Sequence, residues 1–169
     1  MNLFFLDREI ARAVRYHSDQ HVVKMALEST QILCSALWRH GVAAPYRPTH
    51  ANHPTVLWAG DNLCHYRWMV RFALALCKEY TYRFGKIHRC QSILRALPTT
   101  PPLPDTEWHD PPQAMPEIYR SADAIQGYRR YYQAEKSSFA SKGTAKWSRR
   151  RVPPFMRSSP ETNKAQRLF

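Results

Sequence analysis

A narrow polar stripe on an otherwise apolar helix is the part of this sequence best suited to chemistry. Residues 18–40 are apolar or small at most other positions. At about 100° per residue, the polar positions from 21 onward fall within an arc of roughly 80°. The stripe consists of His17, just upstream, and His21, Lys24, Glu28 and Gln31. Since buried Lys and Glu are rare unless paired or used, the stripe predicts one wall of a reaction pocket. The alternative is a surface ion pair between Lys24 and Glu28, one helical turn apart.

A loop rich in polar side chains follows this helix at residues 49–54. It carries His50, Asn52 and His53, which can orient a substrate, contact a base or phosphate, or simply tie the loop to the core. With His17 and His21 these imidazoles can also form a metal site, since His is a common ligand. No H-E-x-x-H pattern supports that alternative, so we expect neither a metal nor another cofactor.

Two further runs interleave aromatic and basic residues. Residues 79–88 contribute Arg83, Lys86 and His88, and the second run consists of Tyr128, Arg129, Arg130, Tyr131 and Tyr132. Cations attract phosphates, and aromatic faces stack on bases, so both runs predict contact with nucleic acid. The alternative for each is a helix whose aromatic side chains pack on the core while its cations remain solvated.

The composition agrees with a partner that carries phosphates. The chain has 169 residues, with 25 Lys and Arg against 13 Asp and Glu, a formal net charge of +12. Such an excess favours nucleic acid over acidic or neutral partners. The four cysteines are widely spaced and are predicted to be reduced. The sequence shows no signal peptide and no stretch able to span a membrane, so we expect a monomer in the cytoplasm of a bacterial or phage-infected cell.

The hydrophobic periodicity predicts an all-α fold in one compact domain with a long, central, buried helix. Besides residues 18–40, helices are expected at 8–16, from Thr55 to Gly85 with an interruption at Gly60–Asp61, at 86–97 and at 121–140. Residues 98–116 hold more than half of the 13 prolines and are predicted to cross the domain as an irregular segment. We assign residues 1–140 to the helical domain and 141–169 to a basic, irregular tail.

Several of these motifs resemble those of known phage proteins. Asp19 to Glu28, Thr49 to Pro54, Glu79 to His88 and Pro111 to Pro116 resemble a family of phage-encoded proteins of uncertain function. More distantly, the chain is similar to the phage pyrimidine-dimer DNA glycosylases of the endonuclease V type. Those enzymes carry Asp-Gln-His with a Glu seven residues after the His, as in Asp19 to Glu28, and a Trp-Tyr-Lys-Tyr-Tyr run that resembles Tyr128 to Tyr132.

This resemblance implies a catalytic carboxylate at Glu28 and a nucleophilic α-amine at the start of the chain. That amine belongs to Met1, or to Asn2 if Met1 is removed; the glycosylases expose a Thr instead. An α-amine is partly neutral at physiological pH and can attack the sugar C1′ to form a Schiff base. The arginines that flank the family's Glu are absent here. Lys24 is additional, and it can replace the α-amine if burial favours its neutral form.

The sequence therefore predicts a base-excising DNA glycosylase that also acts as an abasic-site lyase. The expected partner is double-stranded DNA with a damaged or modified base, whose target nucleotide leaves the stack. Glu28, Lys24, His21 and Met1 are the expected catalytic residues. One alternative is a non-catalytic nucleic-acid-binding phage factor. Another is a transferase or hydrolase that acts on a nucleotide or modified base through the histidine cluster.

Overall fold

The computed structural model describes residues 2–139 and 143–157. Within these ranges the chain forms six α-helices and one hairpin of two-residue strands, which confirms the all-α prediction. The helices are α1 Ile10–Tyr16, α2 Asp19–Arg39, α3 Pro54–Asp61, α4 Leu63–Phe84, α5 Cys90–Ala96 and α6 Ala124–Glu135. The strands are β1 Ser138–Phe139 and β2 Gly143–Thr144, and 3₁₀ turns occupy Glu117–Tyr119 and Pro154–Met156. No helix of the described residues is long and apolar enough to cross a membrane.

The two longest helices, α2 and α4, pack against each other and form the centre of the fold. Ile32 and Leu33 of α2 and Met69 and Phe72 of α4 are fully buried between them. Helix α4 ends at Gly85, whose φ of +68° places it in the left-handed region that favours glycine. The apolar side of α2 thus faces the core, and its polar stripe is left at the edge of the packed layer.

The first residues of the chain form a buried extended segment beside α2. Leu3, Phe4, Phe5 and Leu6 are each at most 4% exposed. This run of four large apolar side chains gains about 1.5–3 kcal/mol per side chain from burial. Their burial anchors the segment, and this brings Asn2 to the polar edge of α2.

Several element boundaries differ from the sequence prediction. The break between α3 and α4 lies at Asn62, one residue after the predicted Gly60–Asp61, because the Asn62 side chain accepts a hydrogen bond from the backbone of Cys64 and caps α4. The helix expected at 86–97 is shorter and begins at Cys90, and the one expected at 121–140 spans only Ala124–Glu135.

Part of the predicted tail is attached to the helical domain. The Trp147 indole donates to the carbonyl of Tyr16 at 2.9 Å, and the Ser148 hydroxyl donates to Asp19 at 2.7 Å. Residues 98–116 contain neither helix nor strand and connect α5 to the turn before α6. Residues 140–142 and 158–169 of the predicted tail lie outside the described residues.

Candidate functional site

A polar cavity of about 290 Å³ lies where the start of the chain meets α2 and the end of α6. Its volume is at the lower end of the range for small-molecule sites. Its lining residues are Asn2, Phe4, His21, Lys24, Met25, Glu28, Ala114, Tyr131 and Lys136. The predicted stripe residues His21, Lys24 and Glu28 therefore do line one cavity, together with Tyr131 from the second basic-aromatic run.

Glu28 is the only acidic side chain among these lining residues, and it has two described partners. The backbone nitrogen of Asn2 donates to Glu28 Oε2 at 3.1 Å, and Lys24 Nζ lies 3.4 Å from Oε1. The Glu28 side chain is 13% exposed, whereas that of Lys24 is 64% exposed. Lys24 was expected to replace the α-amine only if it is buried. Its side chain is largely exposed, so this condition is not met. Met1 lies outside the described residues.

The proline-rich segment holds Asn2 in place. The Asn2 amide donates to the carbonyl of Ala114 at 3.1 Å, and its oxygen accepts from the backbone of Leu3 at 2.7 Å. The Tyr128 hydroxyl donates to the neighbouring carbonyl of Pro112 at 2.6 Å. Sequence reasoning missed Phe4, Met25, Ala114 and Lys136 as lining residues, and it named Asn2 only as the alternative source of the α-amine. The only sequence signal for this contribution was the string from Pro111 to Pro116, which stands out by its resemblance to the phage family.

His21 lies at the inner wall of the cavity and is 4% exposed. Its Nδ1 is 2.6 Å from the hydroxyl of Tyr132. Burial, assisted by the positive charges of Lys136 and Lys24, lowers the pKa of His21 to about 3. His21 is therefore neutral at physiological pH, and it suits a positioning role rather than that of a cationic acid.

Two side chains at the C-terminal end of α6 complete the rim. Lys136 Nζ lies 4.9 Å from the centre of the Tyr131 ring, which is half-buried. Together with Lys24, Lys136 places a second ammonium group at the mouth of the cavity. The rim thus offers two cations and one aromatic ring, which suits phosphates and a nucleobase.

The loop of His50, Asn52 and His53 lies at the N-terminus of α3, outside the lining of the cavity. His53 Nδ1 accepts from the backbone of Thr55 and caps that helix. Burial lowers the pKa of His53, and the charge of Glu28 acts in the opposite direction, so the two residues are near enough to interact. His50 is exposed and has a φ of +49°, an uncommon backbone conformation for a residue other than glycine.

A second groove of about 480 Å³ adjoins the cavity through Lys24. Lys86, His88 and Arg89 also line it, and its apolar surface includes Val23 and Leu27, each at least 40% exposed. The predicted ligand-contacting residues Lys86 and His88 are therefore near the cavity. The basic groove defined by Lys24, Lys86, His88 and Arg89 continues the positive rim away from Glu28.

Other predicted contact residues belong to the core, and this corrects their assignment. His17, Tyr128 and Tyr132 are 0% exposed, and Arg83 is 4% exposed. Such side chains have no surface to offer a ligand. Tyr128 and Tyr132 are one turn apart on α6, so they share the face that packs against the core, whereas Tyr131 points to the cavity.

Arg83 was expected to bind substrate. Instead, its side chain lies at the centre of a buried network of hydrogen bonds. Its guanidinium donates to Glu79 Oε1 at 2.8 Å and to Asp19 Oδ1 at 3.0 Å. It also donates to the carbonyls of His17 and Arg15, at 2.8 and 3.0 Å. These bonds join α4 to the turn between α1 and α2, so Arg83 stabilises the fold.

The remaining predicted residues differ in their surroundings. Arg129 donates to the carbonyl of Leu6 at 2.9 Å and to Asp7 at 3.0 Å, so it fixes the initial segment. Arg130 is exposed, and Gln31 is half-buried one turn beyond Glu28 without lining the cavity. Asn52 accepts from Arg39 at 3.2 Å. Of this group, only Arg130 presents a cation without a partner among the described residues.

The histidines of the predicted alternative metal site do not form a ligand set in the described part of the chain. There, the one group of three possible ligands is Asp61, His65 and His109. His65 Nε2 accepts from the backbone of His109 at 3.1 Å, so its Nδ1 carries the proton and donates towards Asp61 at 2.8 Å. A metal at this Nδ1 would have to displace that proton and that bond, so the group does not fit a preformed site.

The buried histidines predict that the protein loses stability in acid. Burial lowers the pKa of His17 to about 4 and that of His21 to about 3. Between pH 6.5 and 4.5 the unfolded chain therefore binds protons that the folded chain does not, so the free energy of unfolding decreases as the pH falls. We expect a loss of about 2 kcal/mol per histidine across this window. Urea denaturation at a series of pH values measures it.

The matched variants for this measurement are His17→Asn and His40→Asn. Replacing the buried His17 should flatten the dependence of stability on pH, whatever it does to stability at pH 7. His40 is exposed and serves as the control. An unchanged pH dependence in His17→Asn would contradict the assignment of a buried, neutral imidazole.

Comparisons of the chain with protein-family models, with curated proteins and with solved structures found no match.

Proposed function

We propose that this protein is a DNA-acting base-excision enzyme, an N-glycosylase with abasic-site lyase activity. One observation carries the proposal: the backbone nitrogen of Asn2 lies 3.1 Å from the Glu28 carboxylate, at a polar cavity with lysines at its rim. This nitrogen belongs to the bond between Met1 and Asn2, and it is the free α-amine if Met1 is removed. An amine beside a carboxylate is the pair that imine chemistry on a sugar requires.

In the proposed reaction, the neutral amine at the start of the chain attacks C1′ of the target deoxyribose. The bond from C1′ to the base breaks, and the base leaves with its electron pair and takes up a proton. Glu28 accepts the proton that the amine loses and stabilises the cationic sugar. Glu28 then returns this proton to the ring oxygen as the sugar ring opens, which gives a protonated imine between C1′ and the amine and leaves Glu28 as a carboxylate again.

The imine allows the strand to be cut. Removal of a proton from C2′ sends its electrons towards C3′, the C3′–O bond breaks, and the 3′ phosphate leaves as an anion. Glu28 is the carboxylate that accepts from the backbone nitrogen of Asn2, so we assign it to this proton as well. Hydrolysis of the imine then frees the amine.

The surroundings of the cavity suit DNA. Lys24 and Lys136 at its rim can each neutralise a phosphate on either side of the target sugar, and Lys86 and Arg89 extend the positive surface along the basic groove. The cavity is too small for a stacked base pair, so the target nucleotide has to leave the helix. Tyr131 offers an aromatic face to the displaced base.

Trapping with borohydride tests this proposal. The protein is mixed with labelled duplexes that are intact, UV-irradiated or abasic, and borohydride reduces any imine to a stable amine. We expect a covalent protein–DNA band with the abasic duplex and, if dimers are substrates, with the irradiated one. Salt-sensitive DNA binding with no band on any duplex would overturn the lyase proposal and favour the non-catalytic binding factor.

A further inference from the structure

A continuous groove follows the outer side of α4 and α5. Two hollows of about 620 and 740 Å³ share Leu74 and Arg95 and together form this α4/α5 groove. Its apolar lining consists mainly of Val70, Leu74, Ala75, Ile87, Leu94 and Leu97. Ile87 is 73% exposed. None of the described lining residues borders the cavity beside Glu28, and the α4/α5 groove meets the basic groove only at the shared side chain of Ile87.

All the charged side chains that line the α4/α5 groove are positive. Arg67, Arg71 and Lys78 lie on the same face of α4 as Leu74, at helical spacing, and Arg95 faces them from α5. The described lining residues include no carboxylate, and no described carboxylate forms an ion pair with these four cations. Arg67 and Arg71 are one turn apart and repel each other. The groove therefore has an apolar floor with cations on both sides that lack an ion-pair partner among the described residues. A complementary ligand has apolar groups that cover the floor and negative charges along its two edges.

We propose that the α4/α5 groove binds an acidic amphipathic helix of a partner protein. The groove follows α4 from Arg67 to Tyr82, a length of about 22 Å at 1.5 Å per residue. A helix of about 15 residues spans that length. Its apolar side chains, repeated every three or four residues, fill the floor, and its carboxylates pair with the cations on both edges.

Other occupants match the groove less well. A nucleic acid has the right charge, but its sugar–phosphate backbone has no aliphatic side chains to cover Val70, Leu74 and Ile87. The chain's own residues 158–169 have Glu161 as their only acid, against Lys164 and Arg167. A second copy carries the same net charge of +12 and is repelled.

Binding of designed peptides to the full chain tests the proposal. The probe is a fluorescent 15-residue helical peptide with leucines on one face and glutamates beside them. Its matched control has the same composition with the leucines scattered around the helix. We expect the amphipathic peptide to bind at least about tenfold more tightly than the control, and to protect residues 67–82 and 90–97 from hydrogen exchange.

Paired charge variants distinguish the groove from general attraction to a basic protein. Arg71→Ser with Arg95→Ser should weaken peptide binding at least about tenfold. Arg47→Ser with Arg130→Ser removes two equally exposed cations elsewhere and should change it less than about twofold. Equal losses in both pairs, or equal binding of the scattered peptide, would overturn the proposal. So would displacement of the peptide by a single-stranded oligonucleotide that protects the same residues, which would make the groove a nucleic-acid surface.

This test is independent of the proposed enzyme activity. Since Arg71 and Arg95 lie outside the cavity, their replacement should leave borohydride trapping unchanged. Loss of peptide binding with intact trapping supports the α4/α5 groove as a second functional surface.

Discussion

Replacing Glu28 with glutamine should slow strand cleavage at an abasic site by about 10²–10⁴-fold. Glutamine keeps the size of the side chain, and its oxygen can still accept from the backbone nitrogen of Asn2, at present 3.1 Å from the carboxylate. Only the negative charge and the ability to accept a proton are lost. Single-turnover cleavage of a labelled abasic duplex measures the effect separately from product release.

The matched control for Glu28→Gln is Glu117→Gln. Glu117 is exposed on the 3₁₀ turn before α6 and does not line the cavity. The same chemical change there should leave cleavage within about twofold of the unmodified protein. Unchanged cleavage in Glu28→Gln would contradict the assigned role of this carboxylate. The affinity of Glu28→Gln for DNA should equal that of the unmodified protein, because the substitution affects the reaction and not binding.

Replacing Arg83 with methionine should lower the free energy of unfolding by about 3 kcal/mol. The Arg83 guanidinium is fully enclosed and holds Glu79, Asp19 and two backbone carbonyls. Burial acts to raise the pKa of Glu79, but hydrogen bonds from Arg150 and Arg83 outweigh it and keep that pKa below its ordinary value. Without Arg83, a charged Glu79 keeps only Arg150. Urea denaturation at pH 7 measures the loss.

Arg71→Met is the control on the same helix, because Arg71 is exposed and has no ion-pair partner among the described residues. It should change stability by no more than about 0.5 kcal/mol. This comparison also distinguishes the two interpretations of residues 79–88. A substrate contact at Arg83 would weaken DNA binding at constant stability, which is the opposite of the expected result.

The helices and the polar stripe of α2 could be predicted because both depend on local periodicity. The apolar positions of α2 determine which side is buried, and this leaves Lys24 and Glu28 at the edge. Helix ends were predicted less well. The break at Asn62 depends on side-chain hydrogen bonds, including one to Glu107, which is distant in sequence.

The rest of the site depends on contacts between residues far apart in the chain. Asn2 bonds to Glu28, 26 positions away in the sequence, and to Ala114, 112 positions away. A local sequence pattern cannot predict contacts between residues so far apart. The composition of the run from Tyr128 to Tyr132 predicts contact with nucleic acid along its whole length, whereas the 3.6-residue period places Tyr128 and Tyr132 on the core side. Composition alone could not separate these two tyrosines from Tyr131.

The position of the adduct trapped by borohydride on an abasic duplex tests the central claim most directly. After digestion, mass spectrometry locates the reduced sugar on one peptide. We predict that it lies on the α-amine of the N-terminal peptide, since the backbone nitrogen of Asn2 lies 3.1 Å from Glu28 and Lys24 is largely exposed. An adduct on Lys24, or no adduct where the strand is cut, would contradict the proposed mechanism.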